Sequence, residues 1–256
     1  MKKMPIIFVG HGSPMNAIED NEYSRTWRKI GEDLPKPKAI LAISAHWYTN
    51  ETRISDAKQP KMIYDMYGFP KELYGIEYTS PGAPELAHET KEMISKNVLI
   101  DNSWGYDYGT WSILHVMYPK ADIPVYQLSV DRNASAETHY KIGQEIASLR
   151  EKGVLIFASG NVVHNLAYVD FSMQGGYDWA IDFDQYIKEK IVQRDYAGVM
   201  DYKKAGKSAE LSFTSPDHFY PLLYILGASS TEDELKVYNE SCTMGALSMT
   251  SYLFEQ

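Results

Sequence analysis

The chain has 256 residues, 44% of them hydrophobic, which is enough to bury the core of an α/β domain without stabilising cross-links. Its formal net charge is −9 and it has no long lysine or arginine cluster, so nucleic acid is not an expected partner. The single cysteine, Cys242, excludes an intrachain disulfide and a cysteine-based metal cage. No apolar run approaches the roughly eighteen residues that span a bilayer, so no membrane partner is expected either.

Apolar runs that lead to histidines are the main pattern along the chain. The runs at residues 6–9, 39–44 and 154–159 predict buried strands. A histidine follows each run within a few residues: His11, His46 and His164. Because parallel strands bring their carboxyl ends to one edge of a sheet, these three side chains are expected to converge.

The remaining segments predict helices and further strands. Amphipathic patterns and start signals predict helices over residues 21–34, 84–97, 135–150, 177–193 and 196–206, and another that ends at Tyr118. Strand patterns cover residues 52–55, 98–101, 123–130, 235–239 and 244–252. The tyrosine-rich segment before Pro84 has little periodicity and is interpreted as a long functional loop. His139, in the first turn of its helix, is expected to be exposed.

This alternation of strands and helices predicts an α/β fold. No linker rich in proline, glycine or serine divides the chain, so residues 1–256 are expected to form a single catalytic domain. Its central sheet should be mostly parallel or mixed and flanked by helices, with the active site at the strand carboxyl ends. The charged start, residues 1–5, leads into an apolar run too short for a signal peptide, so a cytoplasmic location is expected.

A fourth histidine, His218, stands at a helix start marked by serine and proline. The four histidines that occupy turns at element ends are therefore His11, His46, His164 and His218. This shared placement suggests a site for one divalent metal ion. Neutral imidazole suits zinc, iron and copper, and three protein ligands with an open position is the layout of a catalytic centre.

Five segments carry a family resemblance when they are taken together. They are Gly10-His11-Gly12-Ser13-Pro14, Ser44-Ala45-His46-Trp47 and residues 118–129, 159–165 and 215–222. These segments resemble motifs of the class III extradiol ring-cleaving dioxygenases, specifically the 4,5-DOPA dioxygenase branch related to the β subunit of protocatechuate 4,5-dioxygenase. The similarity covers nearly the whole chain.

The resemblance implies an enzyme that opens the aromatic ring of a catechol such as DOPA with O2, the catechol being chelated to a non-haem divalent metal. The metal is Fe(II) in active ring cleavers and Zn(II) in some isolated members. His11, His46 and His218 match the three metal ligands of the family. His164 matches the histidine regarded as acid and base, with coordination of the metal as its alternative role.

The chain departs from the family pattern at two points. The third ligand is histidine, where protocatechuate relatives have glutamate, so the shell is nearer a catalytic zinc site than the two-histidine, one-carboxylate triad. Family members commonly have Asp-His-Gly where this chain has Asp107-Tyr108-Gly109. Tyr108 is the candidate to hydrogen-bond the substrate, although a phenol that titrates near pH 10 is a poorer base than histidine. Ser13 is the second candidate for substrate binding.

Two other functions stay open on the sequence alone. One is a zinc-dependent hydrolase, in which a metal-bound water has a pKa of about 7 and His164 shuttles protons. The other is a non-enzymatic binding protein on the same fold, with an altered or empty metal site. A small aromatic molecule and O2 are the expected partners of the enzyme, and a homo-oligomer is left open.

Overall fold

The computed structural model describes residues 3–256, so Met1 and Lys2 of the charged start lie outside the described residues. The strands are β1 (Ile6–Gly10), β2 (Ala39–Ser44), β3 (Tyr48–Thr49), β4 (Arg53–Ile54), β5 (Leu99–Ile100), β6 (Val125–Gln127), β7 (Val130–Asp131), β8 (Val154–Gly160), β9 (Glu234–Tyr238), β10 (Cys242–Thr243), β11 (Leu247–Ser248) and β12 (Ser251–Glu255). The α-helices are α1 (Glu22–Asp33), α2 (Pro84–Met93), α3 (Tyr108–Met117), α4 (Ala136–Ile146), α5 (Asp178–Val192), α6 (Tyr196–Met200), α7 (Lys207–Ser212) and α8 (Tyr220–Ala228). Within residues 3–256, no helix is both long enough and apolar enough to cross a membrane.

Six strands form the central sheet in the order β6-β2-β8-β1-β12-β9. The first four run parallel to one another, whereas β12 and β9 pair in antiparallel fashion at one edge. The sheet is therefore mixed, and helices flank it. This architecture confirms the α/β fold class that the sequence predicts.

Both faces of the sheet are covered because its parallel strands are apolar on both sides. In β1, Ile6 and Phe8 belong to one core, while Ile7 and Val9 belong to the other. Helices α4, α5 and α8 contribute to the first core, and α1 and α3 contribute to the second. This two-sided burial explains why the central strands read as continuous apolar runs.

The three strands that precede histidines end level with one another. Gly10 pairs with Gly160, and Ser44 pairs with Ser159, at the carboxyl ends of β1, β8 and β2. The His11 N–H continues the ladder by donating to the Gly160 carbonyl at 3.1 Å. Side chains that follow these strands therefore share one edge of the sheet.

Two predicted strands are interrupted in the structure. The segment 123–130 forms β6 and the start of β7, because after β6 the Ser129 N–H leaves the central sheet and donates to the Arg53 carbonyl. The segment 244–252 begins with a turn in which Met244 and Gly245 have φ values of 52° and 75°. Only its later residues belong to β11 and β12. The predicted helix 84–97 likewise ends early, at Met93.

The expectation that His139 is exposed is wrong. The side chain is buried, with Nδ1 lying 2.9 Å from the Tyr224 hydroxyl and the ring packing 4.4 Å from that of Tyr220. Helices α4 and α8 approach closely, since a Cβ on Gly143 would lie 2.3 Å from the Tyr224 carbonyl oxygen. This close packing covers the face of α4 that carries His139.

Candidate metal centre

Three histidine rings meet at the carboxyl edge of β1, β2 and β8. His11 follows β1 directly, and His46 lies two residues beyond β2. His218 comes from the segment before α8, and its carbonyl accepts a hydrogen bond from the Asn161 N–H at 2.9 Å. One potential ligand nitrogen from each histidine lies within 4.8 Å of the other two. The ring centroids are 4.9, 5.1 and 5.3 Å apart.

Two glycines allow the backbone to bring these ligands together. A Cβ on Gly160 would lie only 2.1 Å from the His218 carbonyl oxygen, so a larger residue would push His218 away from β8. Gly12, directly after His11, has a φ of 59°, a left-handed conformation that favours glycine. The positions of His11 and His218 therefore depend on these neighbouring glycines.

The second nitrogen of each ring has a defined partner. Each Nδ1 lies within hydrogen-bond distance of a side-chain oxygen: that of His11 is 2.9 Å from Ser159 Oγ, that of His46 is 2.7 Å from Asp65 Oδ2, and that of His218 is 3.1 Å from Asp217 Oδ1. Histidines that bind metals commonly use their other ring nitrogen in this way, which fixes the orientation of the ring. The arrangement leaves the three Nε2 atoms for the centre of the cluster.

The unpaired nitrogens fit a bound metal ion. The Nε2 atoms of His11 and His218 are buried and have no hydrogen-bond partner among residues 3–256. A buried polar atom without a partner is costly, so such atoms usually have a function or a ligand. Imidazole nitrogens are good ligands for divalent zinc and iron. The three histidines therefore have the chemistry and the spacing of a metal centre.

The protonation of the cluster is set by burial and by nearby carboxylates. Burial, followed by the charges of neighbouring histidines, lowers the pKa of His11 well below its usual range. Burial also lowers the pKa of His218, although the hydrogen bond to Asp217 opposes this effect. For His46, burial is outweighed by the Asp65 hydrogen bond and by nearby carboxylate charges, so its pKa is raised. A metal ion would require all three rings to be neutral.

Sequence reasoning missed the carboxylates around His46. Asp65 lies in the aperiodic loop before α2, and no pattern in that loop distinguishes it. Asp107 is fully buried, and its Oδ1 lies 3.8 Å from His46 Nδ1. Burial raises the pKa of Asp107, against the opposing charge of His46. Ligand atoms of His46, Asp65 and Asp107 lie within 4.8 Å of one another and form a second polar group beside the histidine cluster.

His164, the fourth predicted histidine, lies against the cluster. Its ring stacks on that of His218, with centroids 3.5 Å apart and planes within 4° of parallel. The His164 N–H donates to the Ser212 carbonyl at 2.8 Å, which ties the loop after β8 to the segment before His218. Burial, followed by the charges of His218 and His46, lowers the pKa of His164 well below its usual range. The structure thus brings all four predicted histidines to one edge of the sheet.

Tyr108, a predicted substrate-binding residue, faces the same cluster from the first turn of α3. Its ring centroid lies 4.4 Å from that of His46 and 5.5 Å from that of His11. The Tyr108 N–H donates to Asp65 Oδ1 at 2.8 Å. Burial raises the pKa of the phenol, so the hydroxyl is protonated at neutral pH and can donate a hydrogen bond.

Ser13, the other predicted substrate-binding residue, is half-buried two residues after His11. It caps the short 3-10 helix Pro14–Ala17, where its Oγ accepts a hydrogen bond from the Met15 N–H at 3.2 Å. A hydroxyl can donate one hydrogen bond while it accepts another. Its capping role is therefore compatible with an additional hydrogen bond to a ligand.

The chain matches a family of known proteins over nearly its whole length. Residues 5–255 match the family described as the catalytic LigB subunit of aromatic ring-opening dioxygenase. The chain therefore belongs to this family of ring-opening dioxygenases. The match confirms the resemblance that the five sequence motifs indicate.

Within this family, the chain is similar to proteins named 4,5-DOPA dioxygenase extradiol. The chain is 41% identical to the 4,5-DOPA dioxygenase extradiol of Escherichia coli strain K12, over 97% of this chain and 94% of that protein. It is 38% identical to the 4,5-DOPA dioxygenase extradiol of Beta vulgaris, over 96% of this chain and 95% of that protein. It is also similar to the crystal structure of an uncharacterized protein from Escherichia coli K12, with a TM-score of 0.87 and 38% identity. That alignment covers 98% of this chain and 99% of the other.

Proposed function

We propose that this protein is a metal-dependent extradiol dioxygenase that opens the aromatic ring of a catechol such as DOPA with O2. The observation that carries the proposal is the cluster of His11, His46 and His218, whose ligand nitrogens lie within 4.8 Å of one another. Membership of the ring-opening dioxygenase family and the identity to proteins named 4,5-DOPA dioxygenase extradiol support the same reaction.

In this proposal, His11, His46 and His218 hold one divalent metal ion per chain. When bound, the metal supplies a Lewis acid that a deprotonated catechol can chelate and through which electrons can reach O2. Fe(II) is the proposed metal for ring cleavage, whereas Zn(II) is expected in protein that is purified without added Fe(II). Zinc binds most nitrogen sites more tightly than ferrous iron, so isolated zinc would not identify the working metal.

His164 is the proposed general base that accepts a phenolic proton from the substrate and returns it later in the reaction. Its stacked position on His218 supports this role, because it places an imidazole beside the cluster. Tyr108 and Ser13 are the proposed substrate-binding residues. Since burial raises the pKa of Tyr108, its hydroxyl would act as a hydrogen-bond donor.

Oxygen uptake with a panel of catechols tests this function. The protein is reconstituted anaerobically with Fe(II) and then mixed with DOPA, simpler catechols and, as a matched control, tyrosine. We expect equal consumption of O2 and catechol with a ring-opened product, and no reaction with the monophenol, which has one oxygen fewer for chelation. Catechol binding without O2 uptake would instead support a binding protein. Activity with zinc on hydrolysable esters or amides, without O2 uptake, would support a hydrolase.

Several further properties stay predictions of the sequence. They are a single catalytic domain over residues 1–256, a cytoplasmic location, a homo-oligomer as one possible assembly, and no nucleic-acid or membrane partner. Size-exclusion chromatography with light scattering tests the assembly directly.

A further inference from the structure

Asp65 makes two hydrogen bonds, one to the histidine cluster and one to the start of α3. Its Oδ2 lies 2.7 Å from Nδ1 of His46, a proposed metal ligand. Its Oδ1 accepts the backbone N–H of Tyr108 at 2.8 Å, at the start of α3. The carboxylate therefore bridges one ring of the metal centre and the helix that carries a proposed substrate-binding residue.

We propose that Asp65 is a positioning residue that selects the metal-binding tautomer of His46. An ionised carboxylate accepts hydrogen bonds but cannot donate them. The hydrogen bond to Asp65 therefore requires the proton of the neutral imidazole to be on Nδ1. The lone pair of Nε2 then faces the metal site. This inference rests on the metal centre of the proposed function and assigns Asp65 a role within it.

The two contacts together explain why this residue is a carboxylate. The Tyr108 N–H is a fixed donor, and the metal-binding tautomer of His46 presents a second donor at Nδ1. An aspartate offers an acceptor oxygen to each. An asparagine that kept its oxygen on Tyr108 would turn its NH2 group towards His46 Nδ1. The imidazole proton would then have to be on Nε2, the nitrogen that would bind the metal.

The other two ligands have weaker or less restrictive partners. His11 Nδ1 lies beside Ser159 Oγ, and a hydroxyl can either donate or accept, so it permits both tautomers. Asp217 contacts His218 Nδ1 at a longer distance, 3.1 Å, and its side chain is 30% exposed against 16% for Asp65. The partner of His46 is therefore the shortest and most enclosed carboxylate contact among the three rings.

Asp107 does not replace Asp65 in this role. It lies farther from His46 Nδ1, at 3.8 Å, and its oxygens accept hydrogen bonds from other donors. Those donors are the Ser44 hydroxyl at 2.7 Å, the Trp104 indole N–H at 3.0 Å and the Thr110 N–H at 3.1 Å. Asp107 thus stabilises the start of α3 and adds negative charge near His46.

The loop that carries Asp65 is held in place by contacts that do not involve the histidines. The Ile63 N–H donates to the Tyr106 carbonyl at 2.7 Å, and the Trp111 indole N–H donates to the Ile63 carbonyl at 2.9 Å. The Tyr64 hydroxyl donates to the Ile76 carbonyl at 2.6 Å. Asp65 is therefore expected to keep its position before a metal binds.

The experiment compares Zn(II) affinity in wild type, Asp65→Asn and Asp65→Ala by competition with a chromophoric chelator. Asp65→Asn should weaken Zn(II) binding roughly 10- to 100-fold, the usual effect of removing an outer-shell partner. Its metal-free melting temperature should stay near wild type, because the amide can still bond both neighbours. Asp65→Ala should lower the melting temperature, yet weaken Zn(II) binding less than Asp65→Asn, since water can accept the Nδ1 proton.

The matched control is Asp56→Asn, which changes a loop aspartate paired with a histidine outside the cluster. Asp56 Oδ2 lies 3.0 Å from Nε2 of the exposed His88, and this variant should bind Zn(II) like wild type. Near-normal affinity in Asp65→Asn, or a larger loss in Asp65→Ala, would overturn tautomer selection and leave a purely structural role. Absence of Zn(II) binding in wild type would overturn the metal centre itself. None of these measurements requires catechol turnover, so the two failures are distinguishable.

Discussion

His164 contacts the cluster through the face of its ring, which lies parallel to that of His218 at 3.5 Å. If it acts as the base, His164→Ala should retain Zn(II) or Fe(II) affinity and lose turnover. The expected loss is roughly 10²- to 10⁴-fold, the usual contribution of a positioned acid or base. Single-turnover ring cleavage and a metal titration on the same preparation measure the two effects separately.

His88→Ala is the matched control for His164, because His88 is exposed on α2 and its Nε2 lies 3.0 Å from Asp56 Oδ2 at the surface. It should leave both measurements unchanged. A parallel loss of metal affinity and activity in His164→Ala would assign His164 as a fourth ligand. Unchanged turnover with normal metal content would remove it from the mechanism.

The sequence predicted the histidines of the proposed centre but could not predict their hydrogen-bond partners. His11 and His46 follow recognisable strands, so topology alone predicts that they meet. Asp65 has no such signal. Its two partners, His46 and Tyr108, lie 19 and 43 residues away along the chain, and the loop that contains Asp65 has no periodicity. Side-chain partners of this kind are set by the tertiary fold.

At the scale of elements, the end of β8 sets the position of His218. Gly160→Ala would place a Cβ 2.1 Å from the His218 carbonyl oxygen. We expect the free energy of unfolding to fall by about 1–3 kcal/mol, the usual cost of overpacking, and metal affinity to fall with it. Chemical denaturation and a Zn(II) titration test both expectations.

Gly75→Ala is the control for this substitution. Within the described part of the chain, a Cβ at Gly75 would have no heavy atom within 4 Å outside its immediate neighbours. Stability and metal affinity should therefore stay close to wild type. Equal behaviour of the two variants would mean that the close approach of His218 to β8 does not constrain the centre.

The packing of α4 on α8 predicts a pH dependence of stability. Burial lowers the pKa of His139 from its ordinary value of 6.5 to about 4. As the pH falls below 6.5, the unfolded chain takes up this proton before the folded chain does, so the free energy of unfolding decreases. The decrease continues to about pH 4 and totals about 3 kcal/mol.

Urea unfolding of metal-free wild type and His139→Gln at pH 7 and pH 4.5 measures this contribution. The variant should lose less stability on acidification than wild type, because it lacks the titrating group. His88→Gln, which changes an exposed histidine, should behave like wild type. An identical loss in His139→Gln and wild type would contradict the effect of burial on His139.

Some strands and helices were easier to predict from the sequence than others, because only some of them depend on local pattern alone. The strand 39–44 matches β2 because a two-sided buried strand leaves an unambiguous apolar run. The segment 244–252 also has a strand-like pattern, but Met244 and Gly245 turn the backbone and divide it. The exposure of His139 was predicted wrongly because its burial depends on α8, which lies about eighty residues further along the chain.

At the scale of the molecule, a buried ion pair and the proposed metal centre lie at opposite ends of the parallel strands. Arg150 lies before β8, and its buried guanidinium pairs with Asp233 through two hydrogen bonds of 2.7 and 2.8 Å. The same side chain donates to the carbonyls of Met4 and Ala228 at 2.8 and 3.1 Å. Arg150 thus joins the segment that precedes β1, the last residue of α8 and the residue that precedes β9.

Arg150→Met should therefore destabilise the protein by about 3–5 kcal/mol, because it leaves the Asp233 carboxylate buried without its partner. The fraction that remains folded should bind Zn(II) with near-normal affinity, since the centre lies at the carboxyl edge. Lys152→Met removes an exposed ion pair with Glu89 and should change stability little. Denaturant melts with parallel Zn(II) titrations test this separation, and a large loss of affinity in folded Arg150→Met would contradict it.

The most direct test of the central claim is the metal content of the protein and of three single variants, His11→Ala, His46→Ala and His218→Ala. Each protein is loaded with Zn(II), desalted and measured by elemental analysis, with circular dichroism to verify folding. We predict about one metal ion per wild-type chain and almost none in each folded variant. Metal content near one per chain in all three variants would contradict a centre formed by these histidines.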